Sequence, residues 1–178
     1  NVANSRGSVI PFFNSLLKNK TEKLPVTHPE MTRFWITIEE GINFVDQCLS
    51  LMRGGELFVP KIPSFKILDL VKAMTKNNEH EVVGIRPGEK LHEIMCPKEN
   101  AQHTIEFAKY FIIKPTIEFR NSIGDYDISK VGEKSKKVDI NFEYSSGTNN
   151  HFLTVDEIKS FLSTLWKIMH TQAILNNS

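Results

Sequence analysis

Residues 86–93 read RPGEKLHE, and the organisation of the chain follows from this stretch outward. Pro87-Gly88 at the centre of residues 86–89 predicts a type II turn, because proline sets φ at the second position and glycine supplies the positive φ of the third. Residues 82–85 before the turn predict a buried strand, and the apolar residues within 91–95 predict a helix face. A strand that ends in a turn and leads into a helix is where α/β folds place ligand contacts.

The turn brings two side chains of complementary chemistry together, since Arg86 and Glu89 are its first and last residues. An arginine can bind a phosphate through two parallel hydrogen bonds, and a carboxylate can accept hydrogen bonds from both hydroxyls of a ribose. The alternative is an exposed ion pair on a surface turn, which contributes little to stability. Spacing alone leaves both interpretations open.

A second arginine, Arg33, lies among bulky apolar residues in the β-prone run Met31-Thr32-Arg33-Phe34-Trp35. One interpretation is a side chain whose stem packs on aromatic surface while its head reaches water. The other is a second phosphate ligand.

The composition is typical of a globular protein of one domain or a domain and a half. Of 178 residues, 40% are hydrophobic and 24% are charged, and the net charge is +1. No basic run is dense enough to predict binding of nucleic acid. Neither a run of about 18 apolar residues nor a secretory signal is present, so we expect no membrane association.

The cysteines and histidines indicate a cytoplasmic protein without a metal site. Cys48 and Cys96 lie singly in apolar, helix-like patterns, which predicts free buried thiols in a reducing compartment. The six histidines lack the spacing of metal ligands.

Short β-prone runs alternate with longer helical patterns along the chain. Helices are predicted after a Ser8 cap, over 38–52, after a Ser64 cap, over 97–108, and from a capping box at Thr154–Glu157. Strands are predicted at 24–27, 31–37, 57–59, 82–85, 111–113 and 116–119. The segment 120–142 is lysine-rich and has no periodic apolar pattern, which predicts an irregular segment on the surface. This alternation predicts an α/β fold.

Several stretches carry specific motifs in combination. They are NVANSRGSVIP at 1–11, MTRFW at 31–35, FVPKIPS at 58–64 and RPGEKLHE at 86–93, with YSS at 144–146 and a later Asn pair at 149–150. Together they resemble the inverting UDP-N-acetylglucosamine 4,6-dehydratases of the extended short-chain dehydrogenase/reductase superfamily. The resemblance runs from residue 1 to about residue 165. Asn4 is the one departure, since the family pattern has glycine there, and it leaves the conformation of the first loop open.

The resemblance implies the carboxy-terminal, substrate-binding part of a doubly wound Rossmann fold. Residues 1–7 would end the nucleotide-binding domain, 8–170 would form the UDP-sugar-binding α/β region, and 171–178 would be a frayed tail. The glycine-rich dinucleotide motif, the Tyr-x-x-x-Lys pair and the acid/base residues of the family precede the position that matches Asn1. No catalytic residue is therefore implied in this chain. Tyr110 and Lys114 have the spacing of that pair, but their apolar context predicts a coincidence.

The resemblance also implies which residues contact the substrate. Arg33 and Arg86 would approach the diphosphate of a UDP-sugar from two sides, with Glu89 near the ribose. Asn1 would contact the sugar, and the strand at 24–27 would lie near the uracil.

Val2 and Arg6 match positions that line the nicotinamide cofactor, NADP, which the missing half would mainly bind. The implied reaction is oxidation at sugar C4, loss of water across C5 and C6, and return of hydride to C6 with inversion at C5. Its product resembles the first intermediate of pseudaminic acid synthesis. The complete enzyme would be a homo-oligomer, and this chain alone would be inactive. The alternatives are a stand-alone nucleotide-sugar binding module and another nucleotide-sugar epimerase or dehydratase.

Overall fold

A computed structural model describes residues 2–77, 79–116 and 126–175, with side chains described as far as residue 167. The helices are α1 (Val9–Lys18), α2 (Ile38–Leu51), α3 (Ile67–Met74) and α4 (Val155–Leu175), with a 3₁₀ helix at Lys98–His103. The strands are β1 (Leu24–Val26), β2 (Thr32–Phe34), β3 (Leu57–Pro60), β4 (Ser64–Lys66), β5 (His80–Val82), β6 (Ile94–Cys96), β7 (Thr104–Glu106), β8 (Tyr110–Ile113), β9 (Lys136–Lys137) and β10 (Tyr144–Ser145).

The strands form four small sheets. β1 pairs with β5 in parallel, with Leu24 opposite His80 and Val26 opposite Val82. The other pairings between these strands are antiparallel: β2 with β4, β6 with β10, and the four-stranded order β3-β8-β7-β9. The predicted α/β fold class is confirmed. The parallel pair matters for the site, because the chain leaves both strands at the same edge.

The largest core lies between helices α1, α3 and α4, strands β1 and β4, and the residues that flank β2. Its fully buried side chains include Phe13, Val26, Trp35, Leu70 and Ile158. These positions recur at helical spacing on the helices and at alternate positions on the strands, so each element buries one face. The core thereby fixes where the strand β2 and its arginine stand.

Two of the predicted helix starts are confirmed by their hydrogen bonds. Thr37 and Glu40 form a reciprocal capping box at the start of α2. At the start of α4, the backbone N–H of Thr154 donates to Glu157 Oε2 and the Glu157 N–H donates to Thr154 Oγ1. The predicted Ser64 cap is wrong. Ser64 lies buried in β4, where its backbone N–H donates to His151 O, and α3 starts only after Lys66.

Two predicted helical stretches are strands instead. Residues 94–96 form β6, because β10 supplies a ladder partner that local propensity does not reveal. Within 97–108, the chain makes one short 3₁₀ helix and then enters β7, where Ile105 is buried in the four-stranded sheet. Strand 111–113 is confirmed within β8. The strand predicted at 116–119 falls mostly outside the described residues.

Three predicted apolar surfaces are less buried than expected. Val82, Val83 and Ile85 are exposed, because in the described part of the chain β5 has only β1 beside it. Leu57 is exposed because β3 is an edge strand of its sheet. The apolar face of α2 is also exposed, and its side chains are Ile38, Ile42, Val45, Leu49 and Met52.

The two cysteines are free, as predicted. Cys96 is buried on β6 rather than on a helix, and burial raises the pKa of its thiol to about 12. Cys48 is only partly buried, since it lies on α2 beside the exposed apolar face. Among the residues described, no helix is long and apolar enough to cross a membrane, and no group of His, Cys, Asp and Glu is placed to hold a metal ion.

Candidate functional site

A cleft of about 610 Å³ opens where the first loop and α1 meet the parallel strand pair. Thr27 follows the carboxyl end of β1, and the turn Arg86–Glu89 follows β5 at the same edge. Ligands of open α/β sheets bind at such strand ends. The lining side chains that carry polar or charged groups are Ser8, Thr27, Arg33, Trp35, Arg86 and Glu89.

Arg33 is the most enclosed charged group of the cleft. Its neighbours on β2, Thr32 and Phe34, are buried, so strand alternation turns Arg33 to the opposite face, where its side chain is 12% exposed. Its Nη1 donates to the carbonyl oxygens of Thr32 and Leu91 at 2.7 and 3.2 Å. Its Nε lies 3.4 Å from Glu93 Oε1. The guanidinium is therefore held from three sides instead of extending into water.

The turn at 86–89 has the predicted form. The Glu89 N–H donates to Arg86 O at 3.0 Å, and Gly88 has a φ of +80°. The predicted proximity of Arg86 and Glu89 is confirmed, but the contact is made by the backbone N–H of Arg86, which donates to Glu89 Oε2 at 3.3 Å. The Arg86 side chain is exposed and lines the cleft. The alternative of a simple surface ion pair between the two side chains is therefore wrong.

Glu89 connects both arginines with β1. Its Oε1 lies 3.8 Å from Arg33 Nη2 and accepts a long, 3.5 Å hydrogen bond from Thr27 Oγ1. The carboxylate thus has neighbouring donors from its own turn, from the residue after β1 and from β2.

The first loop places Asn4 in a backbone conformation that favours glycine. Asn4 has a φ of +62°, in the left-handed region that glycine adopts freely and asparagine tolerates better than most residues. Ala3 N–H donates to Ile36 O at 2.7 Å, which attaches the loop to the chain after β2. Val2 lines the cleft, whereas Arg6 is exposed and does not. Asn1 lies outside the described residues.

Sequence reasoning missed three side chains at the site, Glu93, Trp35 and Ser8, whereas Thr27 belongs to the strand expected near the uracil. Trp35 is 2% exposed, and neither its Nε1 nor the buried Ser8 Oγ has a hydrogen-bond partner among the described residues. Ser8 precedes α1 without capping it through its side chain. Buried polar atoms usually have partners, so these two atoms at the cleft have donor capacity for a ligand. The motif MTRFW contains Trp35, but no pattern in the sequence indicates that its ring reaches the cleft.

Tyr110 and Lys114, which have the spacing of a Tyr-x-x-x-Lys pair, do not line the cleft. Tyr110 lies in β8 with its ring stacked on Phe107, in a buried cluster with Ile105 and Ile112. Burial, followed by the nearby Glu133, raises the pKa of its hydroxyl. A tyrosine that acts as a base near neutral pH needs the opposite shift. This supports the interpretation that the spacing is a coincidence.

Comparison with known proteins defines the family. A model described as "Polysaccharide biosynthesis protein" matches residues 1–115. The chain belongs to this family. A UDP-N-acetylglucosamine 4,6-dehydratase (inverting) of Campylobacter jejuni subsp. jejuni serotype O:2 is 45% identical over 163 residues, covering 92% of this chain and 49% of the relative. The predicted resemblance to the inverting dehydratases is thereby confirmed.

The chain is also similar to an epimerase and to a solved structure. A UDP-glucose 4-epimerase of Rickettsia canadensis is 33% identical over 169 residues, covering 93% of this chain and 48% of the relative. A solved structure described as "X-ray structure of Pen from Bacillus thuringiensis" matches with a TM-score of 0.73 at 25% identity, over 93% of this chain and 48% of that one. The chain spans about half the length of each of these relatives.

Proposed function

We propose that this chain is the substrate-binding half of a C5-inverting UDP-N-acetylglucosamine 4,6-dehydratase. The observation that carries the proposal is the cleft in which Arg33, Arg86 and Glu89 meet. A UDP-sugar presents a diphosphate beside a ribose, and this cleft presents two cations beside a carboxylate. The 45% identity to an inverting dehydratase supports the choice of substrate and reaction.

The two arginines suit a diphosphate, which carries roughly two negative charges and is bound best by charge-assisted hydrogen bonds. Arg33 Nη2 lies 3.8 Å from Glu89, beyond hydrogen-bond distance, so its hydrogens remain available to a phosphate oxygen. Glu93 and the carbonyl oxygens of Thr32 and Leu91 orient the guanidinium before a ligand arrives. Arg86 has no ion pair among the described residues and can turn toward the ligand from the other side.

Glu89 suits a ribose diol. Its protein hydrogen bonds, at 3.3 and 3.5 Å, are long, so both carboxylate oxygens keep acceptor capacity for hydroxyl groups. Pro25 and Thr27 line the same part of the cleft and would lie near the uracil. The role of Asn1 at the sugar stays a proposal.

The cofactor would contact this chain only at its edge. Val2 lines the cleft and Arg6 lies exposed on the same loop, and the sequence contains no G-x-G-x-x-G motif. These residues fit one end of NADP, with the remainder on the other half of the complete protein. NADP, when bound, supplies oxidation at C4 and reduction at C6. The residues of this chain hold the diphosphate and ribose, which fixes the sugar relative to acid/base groups outside this chain.

The exposed apolar surfaces fit the proposal of a half protein. Parallel strands are normally covered on both faces, yet Val82 and Val83 are exposed beside β1. The apolar face of α2 is exposed along the whole helix, with Leu49 at 63%. Exposed apolar patches of this kind mark interaction surfaces. We propose that the other half of the complete protein covers these surfaces. In this proposal, residues 1–7 end the nucleotide-binding domain, residues 8–170 form the UDP-sugar-binding region, and residues 171–178 are a frayed tail. Helix α4 extends into this tail and ends at Leu175.

The proposal extends to the setting of the complete enzyme, a cytoplasmic homo-oligomer that supplies pseudaminic acid synthesis. Two other functions remain as alternatives. A nucleotide-sugar 4-epimerase is favoured by the 33% identical epimerase relative. A non-catalytic binding module would use the same cleft.

Calorimetric titration of UDP into this chain tests the binding function, and an absence of binding would overturn it. Incubating the full-length protein with UDP-N-acetylglucosamine and NADP, followed by NMR, separates the alternatives. A 4-keto-6-deoxy product with inverted C5 supports the dehydratase, and the C4 epimer supports the epimerase. Binding without turnover by the full-length protein supports the binding module.

A further inference from the structure

A buried chain of hydroxyl groups links β2 to two distant loops. Thr32 Oγ1 lies 2.8 Å from Ser146 Oγ and 2.8 Å from His92 Nδ1. The backbone N–H of Glu93 donates to Ser146 Oγ at 2.9 Å, and Ser146 N–H donates back to Glu93 O at 2.8 Å. Thr32 and Ser146 are both buried, Ser146 completely.

One direction of donation satisfies this network among the described residues. Glu93 N–H donates to Ser146, the Ser146 hydroxyl donates to Thr32, and the Thr32 hydroxyl donates to His92 Nδ1, in the tautomer that carries its hydrogen on Nε2. The reverse direction would leave the Ser146 hydroxyl hydrogen buried without an acceptor, which is costly. The network therefore has one preferred arrangement.

The loop that carries Ser146 also fits sterically around His92. A Cβ on Gly147 would stand 2.6 Å from Cγ of the His92 ring, closer than such atoms approach in proteins. Only glycine allows the ring to pack against this backbone. The loop at 144–147 and the histidine are thus fitted to each other by both hydrogen bonds and shape.

The backbone beside this network is the backbone that holds Arg33. Thr32 N–H donates to Leu91 O, and the carbonyl oxygens of Thr32 and Leu91 both accept from Arg33 Nη1. Glu93, whose N–H and carbonyl oxygen bind Ser146, also supplies the carboxylate at Arg33 Nε. Displacing residues 91–93 would move two of the groups that orient the guanidinium, Leu91 O and the Glu93 carboxylate.

We propose that Thr32, Ser146 and Gly147 are positioning residues, which act through His92 to hold residues 86–93 against β2 and so orient Arg33 and Glu89. The proposal rests on the proposed function insofar as the oriented groups bind a nucleoside diphosphate. The proposal gives the loop at 144–147 a role in the site, although this loop does not line the cleft.

The test compares Thr32→Val, which removes the hydroxyl at nearly constant shape, with Thr32→Ser, which keeps it. Thr104→Val is the matched control, because Thr104 is equally buried and its hydroxyl donates to Asn100 O, outside the cleft residues. Gly147→Ala tests the same contact from the other loop if Thr32→Val does not fold. For each of these variants, we would measure amide hydrogen exchange over residues 86–93 and the affinity for UDP by calorimetry. Each substitution is made both in the otherwise unchanged chain and in a chain that also carries Arg33→Ala.

We expect Thr32→Val and Gly147→Ala to accelerate exchange at 86–93 and to weaken UDP binding at least fivefold, with Thr32→Ser and Thr104→Val close to the unvaried chain. In the Arg33→Ala background, Thr32→Val should change UDP affinity by a smaller factor than in the unvaried chain, because the part of its effect that acts through Arg33 is then absent. If Thr32→Val and Gly147→Ala leave the amide hydrogen exchange of residues 86–93 unchanged, the proposal is overturned whether or not the chain binds UDP. Unchanged UDP affinity in Thr32→Val would overturn it while the proposed function stands. A lack of UDP binding by the unvaried chain would instead contradict the proposed function.

Discussion

Arg33 Nη2 and Glu89 Oε1 lie 3.8 Å apart across the cleft, although one residue stands on β2 and the other ends the turn after β5. A separation of this size leaves both groups hydrogen-bonding capacity, since it exceeds a hydrogen-bond distance. In a nucleoside diphosphate, phosphate and ribose are adjacent. A cation and a carboxylate side by side therefore match two neighbouring parts of one ligand.

Replacing Arg86 by alanine should weaken UDP binding by about 2 kcal/mol, roughly 30-fold at 25 °C, as for loss of a charge-assisted contact. Calorimetric titration of UDP measures the change. Lys90→Ala is the matched control, because it removes the same charge from the same segment at an exposed residue that does not line the cleft. Equal affinity of the Arg86 variant and the unvaried chain would rule out the phosphate role.

The positive φ of Asn4 predicts how this position tolerates substitution. Asn4→Gly should leave the free energy of unfolding within about 0.5 kcal/mol, whereas Asn4→Val should lower it by about 1–2 kcal/mol, because a β-branched side chain is strained in this conformation. Urea denaturation followed by circular dichroism measures both. The assignment of the loop conformation fails if the valine variant is as stable as the glycine variant.

The exposed apolar face of α2 predicts that the isolated chain associates with itself. Its five apolar side chains recur every three or four residues, which is the spacing of helix–helix seams. Val45→Glu combined with Leu49→Glu should lower the apparent mass in light scattering toward that of one chain. Gln47→Glu adds charge on the opposite side of the helix and should leave association unchanged. A monodisperse monomer of the unvaried chain would contradict this prediction.

The cap of α4 predicts a dependence of stability on pH. The pKa of the Glu157 carboxyl is lowered from its ordinary value of 4.5, first by the hydrogen bond from the Thr154 backbone N–H and then by that from the Thr154 hydroxyl. Because the folded-state pKa is the lower one, the stabilisation is fully present above the unfolded pKa and is lost as pH falls through the folded pKa.

Glu157→Gln should therefore lower the urea midpoint at pH 7 more than at pH 3. Glu22→Gln, at an exposed carboxylate outside the helices, serves as the control. An equal effect of Glu157→Gln at both pH values would show that the carboxylate charge does not stabilise the cap.

Local signals in the sequence determined the parts of this protein that depend on neighbouring residues. The Arg86–Glu89 turn follows from Pro87-Gly88, since these residues restrict φ by themselves. The capping box at Thr154 likewise requires only residues one turn apart. The α/β class follows from the alternation of such elements, and the family follows from motifs that specify it in combination.

Only the tertiary structure decided which segments are buried and which side chains meet. Residues 94–96 have an apolar pattern compatible with a helix, but a strand forms because β10 offers hydrogen-bond partners from a point about 50 residues later in the chain. The apolar face of α2 has the residue spacing of a core-facing helix, yet it is exposed. Burial of a helix face depends on which other segment packs against it. The contacts of Arg33 with Glu89 and Glu93, and of Thr32 with Ser146, join residues far apart in sequence. No local propensity encodes such distances, since packing of the whole chain sets them.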